Sequence, residues 1–563
     1  MAASGMSLNV VDRDGSQSTV GIRNEEEMNS SLRESHKCIG RFFYEMGIDF
    51  EFVHYPSFKN MIDATLGKGQ EDYPIPNSQD LKGWILEEVL QEMLQYVGEI
   101  KNSWAKTGCS ILLDEWTDKN GRNLVNFLVD CPRGQVYLRS SNVSDFGGDN
   151  EALQLVFDQV IEEVGADNVV QVIAGSTTGW TEAFREQFEE RHKKMFWSVS
   201  ASHCIGLMLD HIGKMVRFRE ALDRAKTITK FVYSHATVLK LLRSYTQGQD
   251  LIKPSKIKSA APFLTLENMV LQKQNLEEAF ASPEWKHSIW ASRLEGKKIA
   301  DLIWDQSFWS GAMIVLKAAM PLVNALSLIN KADKPTIGYI YETMDQVKET
   351  IRDEEFRDDE SQYMPIWNAI DEIWNTHLHS DLHVMGYYLN PSFFYSEEFH
   401  CDAEVSNGQL SCTVRMIDDQ RIQHLISKQL KKYQEANGAF KKGSAFESRN
   451  TPPAEWWLNY GNHCPELQNF AIKVVSQTCD GATRFGLKRS VAEKLLAQGR
   501  NPNEEKLLKD LAFVHYNLQL QNFEPNKSGD IIAEEIDSMD DWIVYDGPEM
   551  MGEDDESAWM DLD

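Results

Sequence analysis

Between Ser110 and Val216 the hydrophobic period changes repeatedly, and the order of those changes limits what this chain can fold into. Ser110–Asp114 (SILLD) is a short apolar run that ends in an acid. Asp118, Asn120 and Gly121 supply turn chemistry, followed by NLVNFLVDC, the Pro132-Arg133-Gly134 turn and QVYLRSSNVS. This pattern predicts three strands with tight connections. Residues 150–164 (NEALQLVFDQVIEEV) predict an amphipathic helix, and 169–174 (VVQVIA) a buried strand. A charged helix is expected over 181–193 and a short strand over 195–200. The next helix has Ile205, Leu209, Ile212 and Val216 on one face. The order β-β-β-α-β-α-β-α is an α/β architecture: strands joined by hairpins first, then parallel strands reached through helices.

The flanks carry no comparable strand series. Residues 1–34 are polar with little apolar pattern and are expected to be mostly disordered. Residues 35–107 read as a helical region: two short helices around a Tyr55-Pro56 turn, then a longer one with Trp84, Val89, Met93 and Val97 at helical spacing. Residues 219–405 read as a helical block carrying Trp285, Trp290, Trp304, Trp309, Trp367 and Trp374; 401–450 look mixed. Within 406–520, Leu467, Phe470, Ala471, Val474 and Val475 follow i, i+3, i+4, i+7, i+8, and a last helix is expected over 504–520. No internal repeat is evident.

A length of 563 residues exceeds what one core usually holds, so several domains or one domain with a large insertion are expected. The net charge of −29 disfavours broad nonspecific DNA binding unless a local basic face exists. Residues 521–563 hold fifteen acids and one Lys, so this tail carries −14 of that total. Its interleaved Trp542, Ile543, Val544, Tyr545 and Trp559 fit a disordered, activation-type segment. Eight scattered Cys form no C-x-x-C pair, which argues against a zinc ribbon and suits a reducing compartment. No N-terminal apolar leader and no run of 18 apolar residues is seen, so neither secretion nor a membrane partner is expected.

Residues 108–132, GCSILLDEWTDKNGRNLVNFLVDCP, resemble the plant domain that accompanies hAT-superfamily DNA transposases. The likeness continues through RSSNVS, VFDQVIEEVGADNVVQVI and FWSVSASHCIGLMLDHIGKM. It returns at PAEWWLNYGNHCPELQNFAIKVVSQTC and LAFVHYNLQL, which resemble the family's C-terminal dimerisation region. The resemblance implies an RNase-H-like domain (108–218) interrupted by a helical insertion (219–405) and completed by 406–520, with Leu467, Phe470, Val474, Leu511 and Val514 as dimerisation residues. It implies a nuclear protein working as a homodimer, or as a heterodimer with a relative. The family's chemistry is phosphodiester hydrolysis and strand transfer by paired divalent cations, which need converging carboxylates.

Carried over residue by residue, that acidic set is incomplete. Asp114 matches the first family acid, with Glu115 in place of the usual Gly beside it. The second acid falls on Gly175, which offers no side-chain oxygen. The third falls near Phe485, and no acid occurs between Asp480 and Glu493. The family's Cys-x-x-His reads Ser200-Ala201-Ser202-His203, so only the His remains. The first 107 residues contain one Cys, so the family's frequent zinc finger is missing from them. The expectation is a transposase-derived chain that needs no cofactor and acts by dimerisation and by contacts with DNA or, through the acidic tail, with the transcription machinery. The competing reading is an active, Mg2+-dependent transposase or nuclease in which Glu115, Asp118 or Asp480 substitutes for the lost acids; a degenerate copy without a selected role is a third.

Other candidates each have a plainer structural reading. His203 suits a structural role or one beside the acids. Trp456 and Trp457 suit core packing, or contact with flipped bases. Lys428–Lys442, with Lys431, Lys432, Lys441 and Lys442, suits a solvated helix face or phosphate contact. Asp118 is most simply part of its own turn.

Overall fold

The computed structural model describes residues 14–66, 74–144, 150–177, 179–330, 336–357, 359–441, 444–497, 499–523 and 542. One five-stranded mixed sheet organises the chain: β1 (Cys109–Thr117), β2 (Asn123–Cys131), β3 (Gly134–Asn142), β4 (Val169–Ala174) and β5 (Phe196–Val199). The spatial order is β3-β2-β1-β4-β5. β1 and β3 run antiparallel to β2, while β4 is parallel to β1 and β5 parallel to β4. The β1–β2 turn forms because the Asp118 carboxylate accepts the N–H groups of Asn120 (2.9 Å) and Arg122 (2.8 Å). β4 and β5 are buried along their whole length, as strands covered on both faces must be.

Two apolar layers cover the sheet. On one face, α5 (Asn150–Val164) and α6 (Trp180–Arg191) bring Phe157, Phe184 and Phe188 together with Phe127 and Trp197. On the other, Leu112, Leu128, Tyr137 and Ile173 meet Ala482, Phe485, Val491, Ala492, Ala512, Tyr516 and Leu520. Residues far apart in sequence thus close the sheet, because its second apolar face must be buried.

α7 (Ala201–Lys214), α8 (Val216–Ser234) and α9 (Ala236–Tyr245) lead into a helical block whose core extends from Val170 and Phe196 to Cys479. Its helix Gln306–Asn330 is long and apolar enough to cross a membrane by length and composition; here it packs on α7, α8 and the helix Ala261–Leu271. Upstream, α1 (Asp14–Met46) and α4 (Trp84–Thr107) clasp the helix Pro502–Gln521, with Phe43, Tyr44, Val89 and Met93 around Val514 and Leu518.

The structure departs from the sequence expectations in several places. Residues 14–34 continue α1 rather than lacking structure: no Pro interrupts them, and a helix nucleated on the buried Phe43–Tyr44 end propagates at little cost. The remainder of the 1–34 stretch, and nearly all of the acidic tail, lie outside the described residues. The first of the two short helices near Tyr55 is the end of α1 followed by a 3-10 turn, Phe50–His54. Val216 does not share the α7 face; it starts α8 and is 84% exposed. The mixed-looking 401–450 stretch is helical over Ala403–Met416 and Gln420–Gln434. All eight cysteines are free.

Candidate functional site

Parallel strands aim their carboxyl ends one way, and loops there are free to carry polar groups. Here β1, β4 and β5 deliver Asp114 and Glu115, Gly175–Thr177, and Ser200–His203 to one edge. The segment 477–489 crosses the sheet from the amino end of β1 to that edge. Ser110 Oγ donates to Gln477 Oε1 (2.9 Å), Gln171 Nε2 to the Thr478 carbonyl (2.7 Å), and Ala201 N–H to the Cys479 carbonyl (3.0 Å). Gly481 fits so closely that an added Cβ would lie 2.8 Å from Ser200 Cβ.

Each carboxylate at this edge is engaged by a different set of donors. Asp114, 3% exposed, accepts Asn126 Nδ2 from the facing β2 position (3.2 Å) and Arg489 Nη2 (2.9 Å). Arg489 is held in place from both sides: its guanidinium lies 5.1 Å from the Trp116 ring centre, and Tyr516 Oη bonds the neighbouring Lys488 carbonyl (2.8 Å). Glu115, half-buried, takes the N–H groups of Gly175 (3.2 Å) and Ser176 (2.9 Å). Burial pushes its pKa up to about 7 against those hydrogen bonds. Asp480, fully buried, accepts Ser200 Oγ (2.6 Å), Ser202 N–H (3.1 Å) and Ser202 Oγ (2.9 Å). Asp118 stays in its turn, paired with Arg122. Glu493, the first acid after Asp480, accepts Trp116 Nε1 (3.1 Å).

A divalent cation needs several oxygen ligands converging on one point. Among the described residues, no group of three or more His, Cys, Asp or Glu side chains is placed to hold a metal ion. Glycine at 175 is itself part of the local packing: a Cβ there would lie 3.1 Å from Glu115 Oε2 and 3.1 Å from the Leu113 carbonyl. The Glu115 carboxylate therefore crowds the position that the resemblance assigns to the second acid. Phe485, at the third, is buried against the sheet with Leu112 and Ile173.

The remaining sequence candidates separate. His203 joins the edge, with Nε2 accepting Thr177 N–H (3.2 Å); burial lowers its pKa and His377 pushes the same way. Trp456 and Trp457 do not reach any surface. Both are 0% exposed, and their Nε1 groups donate to the carbonyls of Ala445 and Leu389 (2.8 Å each), so they form core and cannot touch a base. Lys431, Lys432 and Lys441 are exposed, while Lys442 lies outside the described residues. Leu467, Phe470, Val474 and Val514 are buried and Leu511 half-buried within the chain's own cores, so these five side chains are not a free dimerisation stripe. Periodicity identifies an apolar face but not what covers it.

Two features escaped the sequence reading. Arg489 is one; the text KRS after Gly486 shows a basic residue but not its partner 375 positions away. The other is residues 214–260, with eleven Lys or Arg and three Asp or Glu, a balance of +8 hidden by the whole-chain charge. Lys214, Lys240, Lys256 and Lys258 are exposed there.

Residues 76–228 match the family described as Domain of unknown function (DUF659), a domain found in hAT-type transposase-like proteins. The matched span runs from α3 (Ser78–Lys82) through the whole sheet and into α8, so it contains Asp114, Gly175 and His203. No match to a curated protein was found.

Proposed function

We propose that this chain is a transposase-derived nuclear protein that binds nucleic acid without cutting it and assembles with a second copy or a relative, in transcriptional regulation. The sheet order, with three antiparallel strands followed by two parallel ones and helices on both faces, supports an RNase-H-like reading of the domain. The single observation that carries the loss of cutting is the 2.9 Å pair between Asp114 and Arg489. A fixed guanidinium beside the one retained acid supplies positive charge without open coordination positions, and so cannot activate a water as a metal does. The free cysteines agree with a reducing compartment. Phosphate contact falls to the basic 214–260 segment, through Lys240, Lys256 and Lys258.

One gel assay tests both halves. The full chain is incubated with labelled duplex, nicked and hairpin DNA in magnesium or manganese. The expected result is a salt-sensitive shift of the duplex, weakened by Lys240→Glu/Lys256→Glu/Lys258→Glu, with no new fragments. Fragments that disappear in Asp114→Ala would restore the enzyme reading.

A further inference from the structure

Exposed cations elsewhere on this acidic chain meet acids: Arg33 pairs with Glu88, Arg139 with Glu163, Arg191 with Asp158 and Arg243 with Asp250. The helix Gln420–Gln434 departs from that pattern. Its fifteen residues include Arg421, Lys428, Lys431 and Lys432 and no Asp or Glu. All four cations are exposed, and among the described residues none is paired with an acid. Acids stand only at its two caps, and both are engaged: Asp419 accepts the Arg421 backbone N–H (2.7 Å) and Glu435 accepts Asn437 Nδ2 (2.6 Å). We propose that the exposed face of this helix is a second DNA-binding surface, which grips the phosphate backbone of a duplex at the end of the sheet away from Asp114.

The inference rests on the reading of the chain as a nucleic-acid binder, and geometry carries it further. Ile426, Gln429, Leu430 and Tyr433 are buried, and Gln429 Oε1 accepts the Leu467 N–H (2.9 Å), so the rotation of the helix is fixed. With that face inward, Arg421, His424, Lys428, Lys431 and Lys432 share one outward arc of about 100°. Arg421 and Lys432 are separated by a rise of about 16 Å, long enough to meet several phosphates. The helix dipole accounts for Lys431 and Lys432 in the last turn but not for Arg421 in the first, where a cation is disfavoured. The exposed arc has no aromatic side chain on which an unpaired base could stack, which selects the duplex over a single strand. Leu425 and Ile422 lie at the margin of the arc rather than between the cations, so an acidic amphipathic helix finds no central apolar strip. Position separates this surface from the candidate site. Lys194 pairs with Asp418, and Arg415 Nη2 donates to the Met195 carbonyl, which places the start of the helix beside the amino end of β5. The edge with Asp114, Gly175 and His203 lies at the carboxyl ends, a β5 length of about 13 Å away.

The experiment is an anisotropy titration of the full chain with a short labelled duplex over a series of salt concentrations. In Arg421→Gln/Lys428→Gln/Lys431→Gln/Lys432→Gln, affinity should fall at least about tenfold and the log–log salt slope should lose about 3 units, with the melting temperature unchanged. Lys428→Arg/Lys431→Arg/Lys432→Arg should bind as the parent does. A second arm leaves the chain unaltered: saturating duplex should protect Lys428, Lys431 and Lys432 from an amine-acetylating reagent, while the exposed Lys59 reacts at the same rate. Unchanged affinity and slope in the glutamine variant, or no protection, with parent binding intact, would overturn this surface and leave the nucleic-acid reading on Lys240, Lys256 and Lys258. No binding by the parent at low salt would overturn both. Capture of poly-glutamate that depends on these four residues and is tighter than that of the duplex would assign the face to an acidic protein and overturn the DNA assignment.

Discussion

Removing the Arg489 guanidinium leaves the Asp114 carboxylate buried with only the Asn126 amide to solvate it. The Asp114 side chain is 4% exposed and that of Arg489 is 40% exposed, so water screens the pair from one side. Arg489→Ala is therefore expected to cost about 1–2 kcal/mol, below the range for a fully buried pair. Urea unfolding checks this, and Asp114→Asn in the same background should recover part of the loss, because a neutral amide tolerates the site. Arg489→Lys should not rescue it fully, since an ammonium lacks the planar group that lies over Trp116 while one nitrogen reaches Asp114. Glu115 gives a second prediction. Its folded-state pKa of about 7 lies above the ordinary 4.5. Between these values the folded protein holds the proton that the unfolded chain releases. Its contribution to stability is thus complete below about pH 4.5 and is lost as pH rises through about 7. Glu115→Gln should match the parent near pH 4.5 and exceed its thermal stability at pH 8; a constant difference across that range would contradict the assignment. Neither residue's role was legible in sequence. Asp114 was visible as an acid ending an apolar run, but its meaning depends on a guanidinium that only the closed fold brings near.

Among the elements, what could be read was what local period determines. β4 is legible as a short β-branched run broken only by Gln171, and the β1–β2 turn from Asp118, Asn120 and Gly121, because both patterns act through neighbouring residues. Two other kinds of information were not legible. The polar stretch 14–34 has no apolar stripe, so its helix could not be read from periodicity. The stripe at 467–475 was visible, but whether α4, the helix Gln420–Gln434 or another chain covers it is a question of tertiary packing. The helix Pro502–Gln521 shows the same point at one residue. Asn517 lies on its buried face and forms both hydrogen bonds with the backbone of Tyr137, accepting its N–H (3.0 Å) and donating to its carbonyl (3.1 Å). It does so where the β2–β3 register shifts beside Leu128, satisfying an edge that would otherwise be buried without partners. Asn517→Ala should leave both groups unpaired and cost about 2–3 kcal/mol. Hydrogen exchange gives the local test: the Tyr137 amide should lose protection, while β4 amides keep theirs at matched stability.

At the level of the whole molecule, association and stability must be separated, because the resemblance assigns to a partner the residues that the fold uses for itself. Leu467 is 0% and Phe470 3% exposed, and both belong to the helical-block core. Truncating either removes packed volume from inside one chain. Leu467→Ala and Phe470→Ala are therefore expected to cost about 2–5 kcal/mol each through the lost burial and the cavity left behind. If these residues instead formed an obligate interface, the loss would appear as dissociation, and the melting temperature would rise with protein concentration by mass action. The expected result is the first: a lowered melting temperature that is independent of concentration, with the mass by light scattering unchanged from the parent. Surface candidates for association then lie elsewhere, on side chains already exposed. Leu410 and Val414 on the helix Ala403–Met416 are 65% and 53% exposed one helical turn apart, and Ile422 and Leu425 on the next helix are 37% and 39% exposed. Substituting these four with Ser should cost little stability, since water already reaches them. A parent dimer that survives Leu467→Ala but is lost in the Ser variant would locate assembly on the exposed faces of these two helices. A dimer lost only in Leu467→Ala, without a fall in thermal stability, would return the interface to the stripe at 467–475.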